Sequence, residues 1–274
     1  MIRAALTIAA ALLVATPATA VKREAPGVTQ LRVAPARLDP AKAYLLVQSS
    51  RAKSGLFPVE HVLLRIPSEA ELAAFRAARD EAYNARLAKL QKQAKGGPVP
   101  AVEEIPFDYK GASNAFGTKG GEFLVDGEMR TLLMEVPAGT YLLYGVALGS
   151  RALITCNCLG TVAFVAKPGV ITNMGALYAD KVHKESPVPN LEDNVGPDMF
   201  NYGFIMGQAL VPATAASPVP AGLHDLPIEL AGYHAVGLFH EAGAPSINRL
   251  APVPGVLRYD RGKVIDVKTD QKAR

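Results

Sequence analysis

Between Phe123 and Met174 the chain is cut by turn residues at short, regular intervals, and this rhythm restricts its fold more than any other feature. Phe123–Val125 and Thr131–Val136 flank Asp126-Gly127, a dipeptide that favours tight turns because glycine tolerates positive φ. Tyr141–Leu148 follows Pro137-Ala138-Gly139, and Leu153–Thr155, Val162–Val165 and Val170–Met174 come after it, the last behind Lys167-Pro168-Gly169. Apolar runs this short, with a turn signal every roughly 8–12 residues, predict a β-sandwich or barrel. Connections of so few residues suit antiparallel hairpins, since a parallel crossover needs about a dozen or more. Tyr44–Val47 and Val59–Ile66, each bounded by turn formers, read as two further strands.

One segment breaks the rhythm. Ser68 followed by Glu71 fits a capping box, in which hydroxyl and carboxylate satisfy free backbone N–H groups reciprocally. Glu69 and Glu71 open the segment and Lys89, Lys92 and Lys95 crowd its end, matching the helix dipole. Gly96-Gly97-Pro98 stops it. The sequence therefore predicts a helix over Ser68–Lys95, roughly 40 Å long. Its apolar stripe of Leu72, Phe75, Ala82, Leu87 and Leu90 is narrow, so much of the surface is expected to stay solvated. A stripe left bare would point to a protein partner.

The chain begins with Arg3, an uncharged apolar stretch from Ala4 to Ala15, and the small-x-small sequence Ala18-Thr19-Ala20. These are the three parts of a cleavable signal peptide over residues 1–20, with cleavage expected after Ala20 and a periplasmic or secreted destination. A dozen apolar residues are too few for a stable membrane span, which needs about 20, and no later segment is long and apolar enough to make one. Loss of Arg3 leaves 28 basic against 25 acidic residues, a net charge of +3, which argues against a dedicated nucleic-acid binder. With 49% hydrophobic and 20% charged residues the chain is globular in composition.

The expected organisation is a signal at 1–20, a leader at 21–40, a β domain at 41–178 with the helix inserted at 68–95, and a Gly/Pro-rich loop at 96–121. The remainder, 179–274, holds ten of the 21 prolines. Proline denies a sheet one donor, so this part is expected to wrap the domain as extended coil with edge strands at most. It ends in a closing hairpin, Val256–Tyr259 and Val264–Val267 around Asp260-Arg261-Gly262-Lys263.

The run from Pro137-Ala138-Gly139-Thr140-Tyr141 through Gly160-Thr161-Val162-Ala163-Phe164 to Lys167-Pro168-Gly169-Val170 resembles exported bacterial β-sandwich proteins of unassigned function. The resemblance covers roughly residues 122–178. It implies an antiparallel immunoglobulin-like β-sandwich and a cell-envelope setting, and it carries over no functional residue.

Cys156-Asn157-Cys158 is the principal candidate for chemistry. In an extended strand residues two apart face the same side, so both sulfurs point together. Three readings stay open: a strained small-loop disulfide, easily reduced and so open to redox exchange; a soft-metal site for Cu(I) or Zn completed by a methionine such as Met134 or Met174, or by histidine; and two small apolar side chains at a turn. Two cysteines do not make a disulfide scaffold, so stability must come from burial. His240-Glu241 lacks the second histidine of HExxH, because Ala244 stands there and Gly243 and Pro245 oppose a helix. His234 and His240 lie six apart, a spacing that suits neither one helix face nor a zinc pair. No G-x-S-x-G elbow occurs, and Gly117-Thr118-Lys119-Gly120-Gly121 lacks the order that cradles phosphate. Glu192, Asp193, Asn194 and Asp198 supply oxygen ligands without EF-hand spacing.

No catalytic residue and no cofactor are assigned. The function expected is a non-enzymatic exported binding or structural β-sandwich in the cell envelope, with the helix Ser68–Lys95 as its contact to an envelope protein. The alternatives are a periplasmic thiol-redox or copper-binding protein using Cys156 and Cys158, and an envelope hydrolase with a site assembled from distant residues.

Overall fold

The computed structural model describes residues 27–50, 53–54, 57–111, 114–118, 120–127, 129–148, 153–181, 206–237, 246–247, 249–261 and 263–270. The chain is mainly β. Its strands run β1 Thr29–Leu31, β2 Lys42–Ser50, β3 Lys53–Ser54, β4 Phe57–Arg65, β5 Ala115–Gly117, β6 Leu124–Asp126, β7 Met129–Pro137, β8 Gly139–Leu148 and β9 Leu153–Cys156. They continue with β10 Thr161–Ala166, β11 Ile171–Lys181, β12 Met206–Val211, β13 Ile228–Leu230, β14 His234–Val236, β15 Ser246–Ile247, β16 Leu257–Asp260 and β17 Lys263–Asp266. The helix α1 occupies Glu69–Ala94, with Ser68 as its N-cap.

Two sheets carry the fold. In the first, β7, β2 and β11 form the centre; β1 and β6 share the outer edge of β7, and β12 and β13 share that of β11. In the second, β4 and β8 form the centre; β3 and β5 share one edge of β4, while β9 and β10 share the far edge of β8. Alternation decides which residues turn inward. Leu45, Val47, Leu132, Met134, Val136 and Met174 from the first sheet meet Leu63, Tyr141, Leu143, Val162 and Phe164 from the second in one buried cluster. Rings line this core in sequence, Phe116 against Tyr141, Tyr141 against Phe164, and Phe164 against Tyr233, at 5.4–5.9 Å between centroids.

The expectation of antiparallel pairing holds for the hairpins, including the Asp126-Gly127 turn between β6 and β7 and the β16–β17 pair at the end. It needs correction at the centre of the first sheet, where β2 runs parallel to β11 from Tyr44↔Ile171 to Ser49↔Leu177. Short connections constrain only neighbours in sequence, and these two strands are far apart in the chain. A bulge at Gly175 interrupts that ladder, and its backbone passes so close to Val211 that a Cβ there would sit 2.2 Å from a carbonyl oxygen.

The outer face of the first sheet carries a second apolar cluster. Tyr44, Leu46, Leu133 and Ile171 are covered by Leu31, Ala34 and Leu38 and by Val219, Leu223 and Leu226. Proline-rich segments thus serve as cover, and β12, β13 and β14 take edge positions where missing donors cost least. Residues 1–26, and with them the expected signal and the first part of the leader, lie outside the described residues. The rest of that leader contributes β1 to the first sheet.

Candidate functional site

Two places concentrate unusual chemistry: the cysteine pair with the polar groups beneath it, and the arm built from α1 and the segment that follows it. Cys156 ends β9 and pairs with Gly145 of β8. Cys156 and Cys158 are at disulfide distance, with their Cα atoms 5.1 Å apart, and both are buried in a small cluster with Val62, Tyr144 and Ala147. Of the three readings from sequence, the disulfide is the one this geometry supports. Met134 and Met174 stand in the central core rather than in the cysteine cluster, so neither completes a soft-metal site. Among the described residues no three metal-ligating side chains come together.

Period-two alternation sends the intervening Asn157 the opposite way, into the space between the sheets. Asn157 Nδ2 donates to the Leu143 carbonyl at 3.1 Å and to Gln208 Oε1 at 2.6 Å. Because a carbonyl can only accept, the orientation of the Asn157 amide is fixed, and that fixes Gln208 in turn. Gln208 Nε2 then donates to the Gly145 carbonyl at 3.3 Å and to His61 Nδ1 at 2.7 Å. His61 is therefore the neutral tautomer with its proton on Nε2. Gln208 stands on β12 and His61 on β4, so this chain of amides ties one sheet to the other. The backbone N–H of His61 donates to Thr118 Oγ1 at 3.1 Å.

His61 is 1% exposed and Gln208 fully buried. Burial pushes the His61 pKa down to about 3; the positive charge of Arg130 adds to the effect, and the Leu177 backbone opposes it. Protonation would also turn Nδ1 into a donor facing the Gln208 amide donor. The ring is held neutral by enclosure and carries no open approach for a substrate.

The arm has a different character. β4 and β5 are antiparallel neighbours, with Leu64 opposite Ala115 and the Arg65 N–H donating to the Asn114 carbonyl at 2.8 Å. The helix and its return are thus an insertion into what would otherwise be a simple hairpin. The capping box forms, with Glu71 N donating to Ser68 Oγ at 3.3 Å and Ser68 N donating to Glu71 Oε2 at 2.8 Å. The buried Arg65 grips the Glu71 carboxylate with both terminal nitrogens, one at 3.0 Å. This bidentate pair holds the Glu71 carboxyl down at about 2, with help from the Ser68 N–H, and fixes the helix base to the end of β4.

Beyond its base α1 buries no residue completely. Phe75, Arg79 and Tyr83, on its half-covered side, meet its own return segment. Phe75 meets Tyr109 at 5.1 Å and Phe107 at 5.8 Å, Arg79 pairs with Glu103 at 3.2 Å, and Tyr83 Oη donates to the Pro100 carbonyl at 2.9 Å. Lys95 takes a left-handed position at the helix end, φ 47°, and Gly96 follows it at φ 87°. No described helix is both long and apolar enough to cross a membrane.

A recess of about 180 Å³ on the first sheet, lined by Leu46, Gln48, Asn173, Tyr178 and Ser217, falls below the roughly 300–1,000 Å³ of small-molecule sites. His234 lies exposed on β14, opposite Ala163. His240, Glu241, Glu192, Asp193, Asn194 and Asp198 lie outside the described residues. Cys156 and Cys158 stand out in the sequence, whereas His61 and Gln208 show there only as a polar residue in each of two apolar runs. Comparison with protein-family models, with curated proteins and with solved structures finds no match to this chain.

Proposed function

We propose that this protein is an exported, non-catalytic binding module of the cell envelope, an immunoglobulin-like β-sandwich that presents its helical arm to an envelope protein. The observation that carries the reading is the arm itself, an insertion between adjacent strands β4 and β5 whose helix contributes nothing to the central core. An element that the sheets do not need for burial, yet which is clamped at its root by Arg65 and Glu71, is suited to holding a surface at a fixed angle. The polar groups between the sheets support the same reading, because His61, Gln208 and Asn157 bond to one another out of contact with solvent and act as a bridge between layers, with only the buried His61 Nε2 of this set left without a partner.

The test follows from the adjacency of Leu64 and Ala115. Replacing the arm by a short Asn-Gly turn should leave a folded domain with an unchanged β-sheet spectrum and abolish capture of a discrete partner from envelope extract. Equal capture by the intact and shortened proteins would refute the reading. A thiol-redox role has one observation in its favour, the cysteine pair at disulfide distance. The burial of both sulfurs weighs against it, since exchange needs access for the attacking thiolate.

A further inference from the structure

The distal half of α1 is charged on one sign only. Arg86, Lys89, Lys92 and Lys95 follow one another at intervals of three residues, and all four are exposed. No Asp or Glu occurs between Glu81 and Glu103. The formal charge of this stretch is +4, against +4 for the whole sequence and +3 without residues 1–20, so the rest carries almost no net charge. At about 1.5 Å and 100° per residue the row climbs roughly 14 Å along the helix and winds about half-way round its axis.

Local needs account for only part of it. Lys92 and Lys95 lie near the helix C-terminus, where the dipole favours cations, and Arg86 donates to the Pro106 carbonyl at 3.0 Å. Lys89 stands a turn further back, beyond the reach of that dipole effect. Lys95 is the more telling residue, because it occupies a left-handed backbone position, φ 47°, that glycine adopts freely and a side chain does not. Two glycines follow directly, so glycine is abundant here; the position nonetheless carries a positive charge at the tip of the arm.

Resting on the reading of the arm as a docking element, we propose that its basic row, Arg86, Lys89, Lys92 and Lys95, receives an acidic segment of the partner protein. Complementary charge selects this occupant. A lipid surface is a poorer fit, because a helix lying in a membrane interface buries an apolar face, whereas Phe75 of the α1 stripe is engaged with Phe107 and Tyr109 and Leu87 and Leu90 are already partly covered.

The experiment uses the purified protein with three probes: a fluorescent oligoglutamate peptide, vesicles of phosphatidylethanolamine and phosphatidylglycerol, and the protein alone across a concentration series. The peptide should bind the parent protein. Its affinity should fall at least about tenfold in the triple variant Lys89→Glu, Lys92→Glu, Lys95→Glu, and also on raising salt from roughly 50 to 300 mM. The triple glutamine variant, which keeps good helix formers, should fall between the two, with helicity checked by circular dichroism. Reversal of Arg261 and Lys263, exposed on the closing hairpin, should change nothing. Equal peptide binding by the parent and triple variant, vesicle binding lost in the triple variant, or self-association lost in it would each overturn the proposal. If excision of the arm abolishes partner capture while charge reversal leaves it intact, the docking role stands and this inference fails.

Discussion

Acid should loosen this protein well before its carboxylates are neutralised, and His61 is the reason. In the unfolded chain a histidine titrates near its ordinary value of 6.5, whereas in the folded protein burial holds His61 down at about 3. Below pH 6.5 the unfolded state binds a proton that the native state refuses, so stability is complete above that value and declines as pH falls toward 3. Each pH unit in this window costs about 1.4 kcal/mol. Between pH 6.5 and 5 the loss attributable to His61 is therefore about 2 kcal/mol, a substantial fraction of the roughly 5–15 kcal/mol that holds a typical domain together. The assay is urea unfolding at pH 7.5, 6.5, 5.5 and 5.0 on the parent protein and on His61→Gln, whose side-chain oxygen can still accept from Gln208. The parent curve should steepen below pH 6.5 relative to the variant, by about 2 kcal/mol at pH 5. Parallel curves across that range would refute the reasoning, because they would mean that the ring protonates as readily inside the fold as outside it.

Other consequences can be measured on the same protein. Gln208→Leu keeps the volume but leaves His61 Nδ1 without its donor and removes an acceptor from Asn157; it should cost about 2–4 kcal/mol in urea unfolding, and a cost below about 0.5 kcal/mol would contradict the bridging role. Thiol-reactive dye after mild dithiol treatment should find Cys156 and Cys158 unreactive in the native protein and reactive in guanidinium, since both sulfurs are buried; equal labelling in the two conditions would contradict that burial. Lys95→Gly should raise the stability of the arm by about 0.5–1 kcal/mol through relief of the left-handed backbone, visible as slower amide exchange in the last turn of α1, and faster exchange there would contradict it.

The features legible in the sequence were those written locally. The capping box at Ser68 and Glu71 placed the start of α1 within a residue, and Asp126-Gly127 placed the β6–β7 turn, because each depends on backbone chemistry inside a few residues. Strand extents were less sharp: Val170–Met174 grew to Ile171–Lys181, since partners on β2 and β12 extend the ladder beyond the apolar run. The helix end was marked by Gly96, which does take a positive φ of 87°, and Lys95 ahead of it is left-handed as well, a choice that propensity alone opposes. Pairing between distant segments left no local trace. The parallel β2–β11 contact and the His61–Gln208–Asn157 bridge join residues far apart in the chain, and a polar residue within an apolar run does not disclose its partner. The period-two rule did put both sulfurs on one side, and by the same rule it sent Asn157 to the other.

Site-specific photo-crosslinking in the envelope tests the docking role of the arm most directly. A photoreactive residue at Lys89 or Lys92, both exposed on the arm, is compared with one at Val165, half exposed on β10 of the second sheet. The arm positions should yield one discrete heterologous adduct and the sheet position none. An adduct from Val165 with none from the arm would contradict the account.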